Sequence, residues 1–129
     1  MILLDTHALY WMANDSKRLS RRASSAIRRA RQSSGVGVAT ISLWELALLA
    51  QNGRIVVTGS VETFLRDIVS RVILRAVTPE IAALAASLQP DFPKDPADRL
   101  IAATAMVEGW RLVTADERIQ RSRVVETVW

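Results

Sequence analysis

Four acidic residues occupy places in the chain where a carboxylate can take part in chemistry. Asp5 and Asp116 each come just after a short apolar run, Asp98 follows a proline-rich stretch, and Glu45 lies within a long apolar segment. Carboxylate oxygens are the ligands that Mg²⁺ prefers in proteins, and Mn²⁺ accepts the same ligands. If the four carboxylates converge, their mutual repulsion requires a positive partner. They therefore predict a site for divalent ions, which can promote phosphodiester hydrolysis.

The elements that would position these acids alternate between strand and helix. Short runs that are apolar throughout predict buried strands, and apolar residues at helical spacing predict the helices between them. This alternation is typical of a parallel sheet covered on both faces, so the predicted fold class is a three-layer α/β/α domain with a mostly parallel central sheet. The predicted strands are residues 2–4, 36–39, 74–77, 111–114 and 124–128, and the predicted helices are residues 7–14, 20–32, 41–51, 60–73, 79–88, 96–108 and 117–121.

The order of these elements predicts where the acids meet. In a sheet of this kind the ligand crevice lies outside the carboxyl ends of the strands. Asp5 and Asp116 follow strands, and Asp98 is in the first turn of a helix that starts at the same edge. Glu45 shares a helix face with Ile41, Leu48 and Leu49, so its carboxylate is expected to point inward. Because a buried ionised carboxylate is costly without a partner, Glu45 requires a cation or a proton.

Each acid also has a purely structural interpretation. Asp5 and Asp116 can cap the helices that follow them. Asp95, Pro96 and Asp98 are favourable at the N-cap, N1 and N3 positions of a helix, where the positive helix end attracts carboxylates. A cap cannot explain Glu45 in mid-helix, and its structural alternative is a buried salt bridge to an arginine.

Composition narrows the classes of function. The 129 residues form a single predicted domain, 1–129, with no cysteine and one histidine, which excludes thiolate catalysis and zinc sites built from Cys and His. The net charge is +4, and 15 of the 17 basic residues are arginine, which favours a polyanionic partner. No apolar run approaches the length of a membrane span and no signal peptide is recognisable, so a cytoplasmic location is expected.

Two surface features have open interpretations. The predicted helix 20–32 contains Arg21, Arg22, Arg28, Arg29 and Arg31, which either contact an RNA backbone or form a solvated face. Trp11, Trp44 and Leu49 either line a groove for a protein partner or, as is commoner for apolar residues at helical spacing, pack in the core.

Several stretches of the chain resemble a known family. They are Asp5-Thr6-His7, then Ser42-Leu-Trp-Glu45-Leu with Asn52-Gly53-Arg54-Ile55, then Asp95-Pro-Ala-Asp98-Arg99-Leu-Ile-Ala-Ala-Thr-Ala105, and Leu112-Val-Thr114-Ala-Asp116. Together they are similar to the signature of the PIN-domain family, in particular the VapC-like toxins of bacterial toxin–antitoxin pairs. The resemblance implies a PIN-like fold and a Mg²⁺- or Mn²⁺-dependent endoribonuclease. It also implies a homodimer, possible membership of a larger toxin–antitoxin complex, and inhibition by a cognate antitoxin that occupies a groove near the active site.

Position by position, the resemblance assigns the catalytic and metal-binding acids to Asp5, Glu45, Asp98 and Asp116. It implies that three of them ligate the metal, directly or through water, and that Glu45 positions a water on the metal or takes its proton. Thr114 matches a hydroxyl position beside the last acid, and Arg99 is a candidate to support the acids or to face a phosphate. His7 is expected to make a hydrogen bond within the first helix rather than to act as a general base.

The main alternative is a non-catalytic α/β domain that binds nucleic acid. Such a protein would bind without a metal and would tolerate amides in place of the four carboxylates. A dinucleotide-binding module is disfavoured because Gly35 and Gly37 precede a strand, and no third glycine follows at Thr40. A serine hydrolase is disfavoured because the sequence has no Gly-x-Ser-x-Gly elbow.

Overall fold

The computed structural model describes residues 1–129. Five parallel strands form one sheet in the order β3-β2-β1-β4-β5. The first strand is therefore central, and it pairs on one side with β2 and on the other with β4. The strands are β1 Ile2–Leu4, β2 Val36–Ala39, β3 Ile73–Arg75, β4 Arg111–Val113 and β5 Thr127–Val128.

Seven helices cover both faces of this sheet. Because side chains alternate along a strand, Leu4 packs into a core on one face while its neighbour Leu3 packs into a second core on the other. The predicted three-layer α/β/α class is therefore confirmed. The helices are α1 Thr6–Asn14, α2 Arg21–Gln32, α3 Ile41–Gln51, α4 Val61–Val69, α5 Pro79–Ser87, α6 Pro96–Glu108 and α7 Glu117–Ser122, and a short 3₁₀ helix spans Ser16–Arg18. None of them combines the length and apolarity that a membrane crossing requires.

Several predicted boundaries differ from the structure, two of them by three residues or more. Helix α4 ends at Val69 and not at 73, because the chain must turn back in time for Ile73 to pair with Gly37 of β2. Strand β5 contains two residues where five were predicted. The chain leaves α7 through Arg123, whose backbone is left-handed with φ 55°, and the N–H of Val124 donates to the Ser122 hydroxyl instead of to a neighbouring strand.

Candidate active site

The carboxyl ends of β1 and β4 open onto a cavity of about 460 Å³, and all four acids singled out in the sequence line it. Asp5 follows β1 directly and Asp116 follows β4, while Asp98 comes from the first turn of α6 and Glu45 from the middle of α3. Asp95, Thr6, His7, Trp11, Arg18 and Ala115 complete the lining. Residues from both halves of the chain thus share one acidic cavity.

Two of these acids also cap helices, so the structural interpretation of each is correct as well. One carboxylate oxygen of Asp5 accepts from the N–H of Ala8 at 2.8 Å, and one of Asp116 accepts from the N–H of Arg118 at the same distance. The caps fix the position of each carboxylate at the edge of the sheet. Capping and a place in the cavity are compatible because Asp5 and Asp116 each have a second oxygen.

The hydroxyl of Thr114 connects these two acids. Its oxygen accepts from the backbone N–H of Asp116 at 3.1 Å, and the hydroxyl lies beside the carboxylate of Asp5, whose pKa it lowers. Thr114 is fully buried, so this bridge is shielded from solvent. Burial raises the pKa of Asp5, whereas the hydrogen bonds from Thr114 and Ala8 lower it.

Glu45 is held by a buried pair of hydroxyls. Thr6, from the start of α1, donates to a carboxylate oxygen of Glu45, and the hydroxyls of Thr6 and Ser42 lie 3.0 Å apart. Ser42 is fully buried and stands one helical turn before Glu45 on α3. Glu45 makes no ion pair, so its structural alternative, a buried salt bridge to an arginine, is wrong. Burial raises the pKa of Glu45, and the Thr6 hydrogen bond opposes that rise.

Burial and neighbouring negative charge act together on Asp98. Burial, followed by the charges of Asp95, Glu45 and the other acids, raises the pKa of Asp98 to about 7. Asp95 is the N-cap of α6, as predicted, and accepts from the N–H of Ala97 at 2.9 Å. It also lines the acidic cavity, so its contribution goes beyond capping. A carboxyl whose pKa is raised by its neighbours marks a place where bound positive charge is favourable.

The donor chemistry of the cavity fits a hard divalent ion, since the lining supplies carboxylate and hydroxyl oxygens. The side chains do not form a closed cage, because no group of three acidic or histidine side chains is close enough together to hold one ion. Such spacing leaves room for water beside one or two carboxylate ligands. The acids are therefore compatible with a partly hydrated ion.

Arg99 does not face a phosphate, which corrects one of its two predicted roles. Its guanidinium donates to the backbone carbonyls of Pro93, Leu88, Gln89, Phe92 and Ala85 at 3.1–3.4 Å. An arginine has five N–H donors, and these bonds use all of them. Arg99 therefore supports the loop that leads into α6 and so the segment that carries Asp95 and Asp98.

His7 likewise differs from its expectation. Its side chain makes no hydrogen bond within α1; instead it is exposed, lines the acidic cavity, and its ring lies 5.7 Å from that of Trp11. The guanidinium of Arg18 lies 5.3 Å from the ring of Trp11, beside the same cavity. These residues give the acidic cavity an aromatic and cationic rim.

Helix α3 is much more exposed than its apolar composition suggests. Trp44 is 59% exposed, so the core interpretation is wrong for this residue. Trp44, Leu48 and Leu49 line a groove of about 610 Å³ that also includes Glu45 and Asp95. Trp11 lies in the acidic cavity and not in this groove. An apolar groove therefore adjoins the acids.

Sequence reasoning missed Thr6, Ser42 and the second role of Asp95. Ser42 could have been predicted near Glu45, since it lies three residues before Glu45 and hence on the same helical face. Asp95 could also have been predicted near the site, because it begins the helical turn that contains Asp98. Nothing in the sequence could show that Thr6 reaches Glu45, because that contact depends on how α1 packs against α3.

A parallel α/β/α sheet with acids gathered at its strand ends defines a class of protein, and comparison with known sequences gives its family. Residues 2–124 match the PIN domain family, and the chain belongs to that family. It is 45% identical to Ribonuclease VapC22 of Mycobacterium tuberculosis over 130 residues, which cover 99% of this chain and 98% of that protein.

Solved structures share the fold. VapBC2 from Rickettsia felis, bound to a DNA fragment from its promoter, superimposes with a TM-score of 0.73 at 18% identity, covering 98% of this chain and 97% of that one. DNA-bound VapBC from Salmonella typhimurium gives 0.70 at 18% identity with the same coverage. VapBC-1 from nontypeable Haemophilus influenzae gives 0.66 at 22% identity, covering 98% and 96%.

Proposed function

We propose that this protein is a divalent-metal-dependent endoribonuclease that acts as the toxin of a toxin–antitoxin pair. The observation that carries the proposal is the convergence of Asp5, Glu45, Asp98 and Asp116 on one cavity, where the acids outnumber the cations. The raised pKa of Asp98 supports it, because this group is destabilised until positive charge arrives. The 45% identity to a ribonuclease supports RNA as the substrate.

Asp5, Asp98 and Asp116 would ligate Mg²⁺ or Mn²⁺ directly or through water. Because three of the acidic side chains are not close enough together to contact one ion, at least one of these acids would act through a bound water. When bound, the ion supplies the positive charge that polarises a scissile phosphate and activates water. Glu45 would orient the attacking water and accept its proton at a carboxylate oxygen. Thr6 fixes the rotamer of Glu45 by its hydrogen bond. Thr114 binds the backbone N–H of Asp116 and lies beside Asp5, so it helps to fix the relative positions of these two acids.

We also propose that residues 1–129 act as one catalytic domain, that the protein forms a homodimer, and that a cognate antitoxin inhibits it. The antitoxin is supported by the apolar groove along α3, where Trp44 is 59% exposed directly beside Glu45 and Asp95. An exposed aromatic next to a catalytic cavity is a favourable anchor for a partner that blocks substrate. Solved toxin–antitoxin complexes with this fold are consistent with such a partner.

The experiment is cleavage of end-labelled total tRNA and structured RNA by the purified protein with Mg²⁺, with Mn²⁺ and with chelator. The Asp5→Asn variant controls for contaminating ribonuclease, and Asp67→Asn, an exposed acid on α4, is a matched control for the loss of one charge. Discrete cuts that require metal and Asp5 but not Asp67 support the proposal. RNA binding without cutting, unchanged by chelator, overturns it in favour of the non-catalytic alternative.

A further inference from the structure

Four arginines line a second cavity, of about 240 Å³, on the side of α2 that faces β4 and β5. Three of them, Arg21, Arg22 and Arg29, come from α2, and Arg111 starts β4. The remaining lining is Ser25, Ala26 and Val128. We call this feature the arginine groove. It is separate from the acidic cavity, with which it shares no residue.

None of the four arginines has a partner within the protein. The five ion pairs of the structure use other basic residues, Arg66, Arg71, Arg75, Arg118 and Arg121. No guanidinium of the arginine groove donates a hydrogen bond, in contrast to Arg99, whose donors are all used. The groove therefore presents four positive charges with free N–H donors. The planar, fork-shaped guanidinium of arginine matches the oxygens of a phosphate group.

The position of Arg21 and Arg22 argues against a role in stabilising the fold. Both lie in the first turn of α2, where the positive end of the helix dipole disfavours cations, and that turn contains no acid. The solvated-face interpretation explains arginines near the C-terminal end of the helix, such as Arg31, but not these two. A negatively charged ligand in the groove would relieve this repulsion.

The shape of the groove favours a polymer over a single anion. Arg21 and Arg29 are eight residues apart on one helix, which separates them by about 12 Å along its axis. A chain of contacts connects one end of the groove to the acidic cavity. Val128 lines the groove, and the next residue, Trp129, places its ring 5.7 Å from Trp11, which lines the acidic cavity.

We propose that the arginine groove binds the phosphate backbone of the RNA whose scissile bond lies in the acidic cavity. This inference rests on the proposed nuclease function and names where its substrate is held. An acidic protein segment is disfavoured as the occupant because the groove offers only Ala26 and Val128 as apolar contacts, whereas protein interfaces have an apolar centre. Phosphate contacts of this kind supply affinity without reading sequence.

The test measures binding of total tRNA in chelator, so that cutting does not interfere, for the wild type and for the double variant Arg21→Gln/Arg22→Gln. The control is Arg66→Gln/Arg71→Gln, which removes the same charge from α4, where both arginines are already paired with acids. We expect the groove variant to lose about tenfold or more in affinity and to flatten the salt dependence by about 0.7–0.9 in log–log slope for each lost phosphate contact. The control should change affinity less than twofold, which is about the effect of charge alone at a distance.

Thermal unfolding shows whether the groove variant still folds, and it should be at least as stable as the wild type because two cations leave the helix N-terminus. If wild-type protein cuts RNA but the groove variant binds tRNA with unchanged affinity and salt slope, the inference is overturned and the nuclease proposal stands. If no RNA is cut but binding still depends on Arg21 and Arg22, the nuclease proposal fails and the groove remains a phosphate site. Equal losses in both double variants would show a general charge effect and would also overturn the inference.

Discussion

Thr6 donates a hydrogen bond to the carboxylate of Glu45 across 39 residues of sequence, and it joins the start of α1 to the middle of α3. Thr6 is only 4% exposed, so water does not compete for this bond. The bond has two effects: it fixes the position of Glu45 in the cavity, and it favours the ionised carboxylate. Both are properties that a general base requires.

Replacement of Thr6 by valine tests this relationship. Thr6→Val keeps the shape of the side chain but removes the donor, so we expect the cleavage rate to fall by about tenfold at neutral pH. The pKa of Glu45 should rise further, and the acidic limb of the pH–rate profile should therefore move to higher pH. Thr6→Ser, which retains the hydroxyl, should recover both properties. A valine variant with the wild-type profile would show that Thr6 has a packing role only.

Replacement of Asp98 separates catalysis from stability. The pKa of Asp98 in the folded protein is raised to about 7 from an ordinary value of 3.8, so the folded state binds this proton more tightly than the unfolded state. The contribution of Asp98 to stability therefore falls as pH rises from about 4 to 7. Asp98→Asn should abolish cleavage, yet in chelator at pH 8 it should raise the Tm by about 4 °C, a value reduced for the partial exposure of the site.

The pH dependence of this difference is the sharper measurement. At about pH 4 Asp98 is protonated in the folded wild type and near its titration midpoint in the unfolded chain, so the Tm values of the wild type and the amide variant should nearly coincide. The difference should open between about pH 4 and 7. Asp67→Asn on the exposed surface of α4 should show no such opening, because its ion pair with Arg71 is solvated. A Tm for Asp98→Asn below that of the wild type at pH 8 would contradict the electrostatic account.

A bound divalent ion should offset the destabilisation of the folded protein that the clustered carboxylates cause by repelling one another. Mn²⁺ at ten times its Kd should raise the Tm of the wild type by roughly 5 °C at pH 8, which corresponds to about 1.4 kcal/mol. Because the ion competes with the proton on Asp98, the same concentration should give a much smaller shift at pH 5.5. Asp5→Asn should show little shift at either pH. Equal shifts at both values of pH would place the ion away from Asp98.

The sequence was sufficient for those parts of the site that depend on element order. Asp5 and Asp116 follow strands, and parallel strands end at one edge, so their common location followed from the alternation of strand and helix. The exposure of α3 could not be predicted, because the helix is almost entirely apolar, as a core helix is, although Trp44 and Leu48 are exposed. The contact between Thr6 and Glu45 did not follow either, because the angle between α1 and α3 is set by side-chain packing and not by a local pattern.

Arg99 shows most clearly how tertiary structure changes the interpretation of a residue, and it gives the last prediction. Its place beside Asp98 suggested a contact with substrate, but its guanidinium donates to one carbonyl in the last turn of α5 and to four carbonyls between α5 and α6. A lysine has a single ammonium and cannot reproduce this planar fork. Arg99→Lys should therefore lower the free energy of unfolding by about 2 kcal/mol, or roughly 8 °C in Tm, and should speed proteolysis within residues 88–95. The affinity for tRNA in chelator should stay within twofold of the wild type below the unfolding transition, as for Arg71→Lys on the surface of α4. A variant of normal stability that binds RNA weakly would return Arg99 to the role of a phosphate contact.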